Sequence, residues 1–171
     1  MAKLIRYPDL LLECFKDEVS GALLFAQLAE GSVWTIRERG KLARLASLEM
    51  CISQVLGEIL IRNRRAVDVE AATRRANSAA MDLFAAAGAA SWMDFLRDLG
   101  RVVPAYLDKY RALHDLGPPE DHVALAFLVR HEEALGAFCR AELDGQDGLS
   151  MIAIDEILAE LARLRGGPIT R

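Results

Sequence analysis

The sequence predicts an all-α fold, and three observations carry that expectation. Apolar residues recur at alternating steps of three and four along most of the chain, the spacing of one helix face. Aromatic residues are only 6% of a chain that is 53% hydrophobic, so the apolar mass is Ala and Leu, the composition of packed helices. No stretch shows the apolar–polar alternation of a half-buried strand. At 171 residues the chain is long enough for one substantial core, and no linker or short-period repeat divides it. A single domain over 1–171 is expected.

Turn and cap signals cut the chain into helices. The first runs from Pro8 or Asp9 to Glu30, with Pro8 suited to an early helical position and Gly31-Ser32 closing it. The second starts at Thr35, an N-cap with Glu38 three positions on, and reaches about Asn63. A third, Ala-rich stretch spans Asp68 to Ala87. Ser91, with Asp94 three positions later, opens a fourth that continues to about Asp115. Pro104 falls inside it and predicts a kink or break near 102–104, because proline removes a hydrogen bond and crowds the preceding turn. The fifth follows Pro119, with Glu120 and Asp121 placed against the positive end of its dipole, and ends at Leu143. The last runs from Leu149 to Arg165. A four-helix core with one or two added helices accounts for these elements. Short connections at 31–34 and 117–119 make the helices on either side antiparallel neighbours.

Composition narrows the function. The net charge is −4 and the pI near 5.4, and no concentrated basic face exists, so nucleic-acid binding is not expected. The densest basic stretch, 62–65, reads as a solvated helix end. Cys14, Cys51 and Cys139 form no CxxC pair, which argues against a disulfide framework or a zinc knuckle, and they read as small core residues. Leu10 to Leu12 is followed at once by Glu13 and by Lys16-Asp17-Glu18, unlike a signal peptide. The longest apolar run, Val123 to Val129, is far short of the roughly 20 residues of a membrane span. A cytoplasmic protein without membrane contact is the expectation. A mean hydropathy of +0.16 is high for a small chain, so burial between subunits of a homo-oligomer such as a dimer is expected. No GxGxxG, P-loop or GxSxG motif supports nucleotide or serine-hydrolase chemistry.

One residue interrupts this regularity. In the second helix, Leu42, Leu45, Ile52, Leu56 and Ile59 form an apolar series, and Glu49 fills its missing member. A carboxylate there must be partnered or line a cavity, because an unpaired buried charge costs several kcal/mol. The alternative phase, through Leu48 and Val55, sets Glu49 at the edge of the stripe, where an Arg can satisfy it. Counting from a first turn centred near Val33, Glu49 and Glu18 both lie about 22 to 24 Å away at helical rise. Glu18 shares a stripe with Phe15, Ala22 and Phe25, although Lys16-Asp17-Glu18 also reads as a solvated run. In the fifth helix, His131 and Glu132 fall between Leu128 and Leu135, about 20 Å from Pro118. The four residues are therefore expected to converge at mid-height, with Glu133, about 100° round from Glu132, nearer solvent. The competing reading of His131 is a core histidine bonded to a neighbouring turn.

The stretches Leu24 to Glu30, Leu42 to Glu49 and His131 to Phe138 resemble the ferritin-like superfamily, particularly rubrerythrin-like helical hairpins. The resemblance implies a ferritin-like four-helix bundle. Such families hold two metal ions with a Glu from each of two helices and a Glu-x-x-His from each of the others. Here Ile52 and Leu135 stand at the histidine positions, and counting back along the fourth helix reaches the Pro104 region, which has no Glu. The leading expectation is thus a remodelled, metal-free site that binds or transforms a small organic ligand in a cavity within the bundle. Glu49 and Glu132 then supply carboxylates and His131 carries the proton. A second expectation is an iron- or manganese-dependent oxidoreductase, with Glu18, Glu49, His131 and Glu132 holding a divalent ion. A third is a structural or partner-binding helical oligomer without catalysis.

Overall fold

Residues 6–64, 74 and 91–165 are described by the structure, a computed structural model. It is all-helical, with no strand among the described residues. Helix α1 spans Tyr7–Glu30 with Pro8 in its first turn, and α2 spans Ile36–Arg62. Thr35 caps α2 through a reciprocal box. Its hydroxyl accepts from the Glu38 N–H, and the Glu38 carboxylate accepts from the Thr35 N–H at 2.7 Å. Helix α3 spans Trp92–Leu116, with the Ser91 hydroxyl accepting from the Asp94 N–H. Helix α4 spans His122–Leu143 and α5 spans Ile152–Arg165. The helical stretch expected over 68–87 lies outside the described residues.

Helix α3 passes through Pro104 without a break. Two details depart from expectation. A 3₁₀ turn, Pro119–Asp121, precedes α4, so Asp121 stands before the helix as a buried residue instead of inside its first turn. Helix α5 begins at Ile152, after a run of turns over 147–151.

Helices α1 and α2 form one hairpin and α3 and α4 a second. Side chains at the two ends fix how the hairpins meet. At one end Tyr7 donates to Asp121 at 2.6 Å, and Arg62, the last residue of α2, pairs with the same carboxylate. At the other, Lys41 near the start of α2 pairs with Glu142 near the end of α4, and Trp92 donates its indole N–H to Glu142 at 2.9 Å. There Trp34 is buried among the rings of Trp92 and Phe95, closing that end. Thus α1 and α4 run one way, α2 and α3 the other, and α2 finishes at the end opposite the start of α3. Helix α5 buries Ile154, Ile157 and Leu161 against α2 and α4. None of the described helices is long and apolar enough to cross a membrane.

Candidate functional site

Each of the four long helices sends a polar side chain into the middle of this core. Glu18 comes from α1, Glu49 from α2, Tyr110 from α3, and His131 with Glu132 from α4. Glu18 and His131 are fully buried, and Glu49 and Glu132 are 5% exposed. Leu48 and Glu49 are both inward, so the apolar face of α2 is broad enough to hold both phases of its stripe. The solvated reading of Glu18 is excluded by its burial. Glu133 is exposed and paired with Arg111.

The imidazole of His131 organises the cluster. Its Nδ1–H donates to the Leu128 carbonyl, 2.6 Å away, one turn back on α4. That bond leaves Nε2 facing the acids. Nε2 lies 3.2 Å from Glu18 Oε2, 3.5 Å from Glu132 Oε2 and 4.0 Å from Glu49 Oε1. Nε2 and Glu18 Oε2 are both buried and neither completes a hydrogen bond. The other oxygen of Glu18 accepts from the Tyr110 hydroxyl, and the Tyr110 ring lies over the imidazole at 5.6 Å.

Electrostatics follow from placing three carboxylates and one imidazole out of water. Burial pushes the Glu49 carboxyl well above its usual range, and the neighbouring Glu18 charge adds to that. Burial also raises Glu132, to about 7, against the opposing pull of His131. For Glu18 burial is outweighed by the His131 charge, with help from Glu49 and from the Tyr110 hydroxyl, so its carboxyl is held low. His131 is raised because the Glu18 and Glu132 charges overcome the desolvation that opposes protonation. The cluster thus favours charge on Glu18 and His131 and disfavours it on Glu49 and Glu132.

Counting along the helices missed Tyr110. A second turn centred near Pro118 points back to the Pro104 region, but the 3₁₀ turn moves the centre towards residue 120, which places Tyr110 level with His131. Sequence reasoning also left Asp17 and Lys109 unassigned; they pair across α1 and α3 beside the cluster. Cys14 and Cys139 are buried, and their thiols are pushed up to about 12 by burial, which suits packing and not nucleophilic work.

Comparison with family models, with curated proteins and with solved structures found no significant match to this chain.

Proposed function

We propose that this chain is a ferritin-like metalloprotein that holds one divalent transition-metal ion at Glu18, Glu49 and His131, with Glu132 beside it. The observation that carries the reading is the spacing of the donors. Ligand atoms about 2.1 Å from one ion stand roughly 3 to 4 Å from one another. Nε2 of His131 lies 3.2, 3.5 and 4.0 Å from oxygens of the three acids. One donor atom from each of Glu18, Glu49 and His131 falls within 4.8 Å of the others. Donors this close match the coordination sphere of a single ion, which favours the metal over a small organic ligand. An imidazole whose other nitrogen donates to a backbone carbonyl is the usual setting of a metal-bound histidine.

The helix directions and the separation of the end of α2 from the start of α3 support the ferritin-like assignment, because that topology has two hairpins joined by one long crossover. Neither Glu-x-x-His is complete, since Ile52 and Leu135 stand at the histidine positions, and the single imidazole of His131 argues for one ion instead of two. Carboxylates with a single imidazole suit iron or manganese, so an oxidoreductase is the activity class the site serves. When bound at Glu18, Glu49 and His131, an ion would supply electron transfer or substrate polarisation. Tyr110 holds Glu18 in place, and Glu132, poised near neutrality, exchanges a proton beside the reacting atoms.

Anaerobic loading of metal-stripped protein with Fe(II), Mn(II) or Zn(II), followed by elemental analysis, tests this reading. About one equivalent of ion is expected, falling sharply in E18Q and E49Q. Less than about a tenth of an equivalent for all three metals overturns it.

A further inference from the structure

We propose that the cation reaches this centre between α1 and α3, and that the Lys109 ammonium paired with Asp17 is the placeholder an incoming divalent ion displaces. The inference rests on the metal reading above. Glu18 and His131 side chains are 1% and 0% exposed, whereas those of Glu49 and Glu132 are each 7% exposed, so the cluster meets solvent on the Glu49–Glu132 side. On that side Glu49 Oε2 lies against Gly21 of α1, and Tyr106 of α3 is within electrostatic reach of Asp17, Lys109, Glu132 and Glu49.

The Asp17–Lys109 pair is within electrostatic reach of Glu132, and Asp17 also of Glu49. Its side chains are 27% and 29% exposed, far more than any member of the cluster. Lys109 Nζ lies 5.0 Å from the centroid of Tyr106 and 6.0 Å from that of Tyr110, whose hydroxyl binds Glu18. A single ring therefore separates the ammonium from a proposed ligand. Asp17 and Glu18 are consecutive on α1, one facing the boundary and the other the interior, so a cation held by the first is delivered beside the second. A partly exposed ion pair opens more readily than a buried one, and the long lysine stem lets its charge swing out while its carbons stay on the aromatic rings. With Lys109 in place Asp17 is neutralised and the approach is positively charged; with Lys109 displaced, the same carboxylate attracts a hydrated dication.

Stopped-flow mixing of metal-free protein with cobalt(II) chloride, read by the visible absorption of the bound ion, tests this route. K109M and K109Q are expected to load about tenfold faster than the unaltered protein, and D17N, which leaves an unpaired ammonium, about tenfold slower. All are expected to bind the same final amount of cobalt. Unchanged loading rates with one equivalent bound overturn the route and leave the metal centre standing. Loss of equilibrium binding in D17N in proportion to its rate overturns it too, by making Asp17 a ligand. If no cobalt binds the unaltered protein, both readings fail.

Discussion

Glu49 and Gly21 are in direct contact across the first hairpin: a Cβ added to Gly21 stands 2.8 Å from Glu49 Oε2 and 3.0 Å from its carboxyl carbon. Glycine inside a helix costs about 1 kcal/mol relative to alanine, so a glycine that makes room for a carboxylate trades helix stability for the placement of that group. In G21A the flexible end of Glu49 has to move. The metal-free protein is expected to melt at an equal or higher temperature, while its affinity for manganese or zinc, measured by calorimetry, falls about tenfold. Unchanged affinity separates Gly21 from the site.

Replacing Glu49 by leucine removes a carboxyl that burial and Glu18 both disfavour as a charge. E49L is expected to stabilise the metal-free protein by about 1 to 2 kcal/mol, a rise of a few degrees in Tm for a chain of this size. It is expected to abolish ion binding at the same time. A fall in Tm instead identifies Glu49 as a structural partner of the cluster.

The raised Glu132 carboxyl sets a pH dependence whose sign differs between the two states. Its folded value of about 7 lies above that of an unfolded Glu, about 4.3. In the metal-free protein its stabilising contribution is therefore complete below about pH 4.3 and is lost as pH rises through about 7. An ion competes with the retained proton, so apparent metal affinity is expected to climb between about pH 6 and 8. E132Q should flatten both curves. Thermal melts and metal titrations across that range decide the matter, and a pH-independent affinity counts against Glu132.

Lys41 and Glu142 form the other buried ion pair, with side chains 9% and 4% exposed. Burial pushes Glu142 up, but hydrogen bonds from Lys41, Ser150 and Trp92 outweigh it and hold the carboxyl below its usual range. Its contribution is thus present above the unfolded value and is lost as pH falls through the lower folded one. K41M leaves an uncompensated buried carboxylate and is expected to cost about 3 kcal/mol. Denaturant melts at pH 7 and at pH 4 check both effects; a K41M deficit that persists undiminished at the lower pH contradicts this account.

Much of the fold was legible because helix signals are local. Thr35 with Glu38 and Ser91 with Asp94 mark starts by side-chain chemistry that operates within four residues. The level of Glu18 with Glu49 followed from an invariant rise per residue and a short turn. Tyr110 escaped the same arithmetic because a 3₁₀ turn lengthened the second connection, and moving its centre by about two residues moves the matching position by about four, more than a full helical turn.

By itself the sequence determined an all-helical chain, the cap positions, and acids and a histidine set on inward stripes. Those properties depend on periodicity and on neighbours a few residues away. The tertiary structure alone decided that Glu18, Glu49, His131 and Glu132 face one another, that Tyr110 completes the group, and that Asp17 turns outward to Lys109. Stripes fix which way a side chain points from its own helix. Which stripe it meets depends on how the hairpins are joined end to end, and here that is set by contacts over 50 to 114 residues of chain, from Trp92–Glu142 to Tyr7–Asp121.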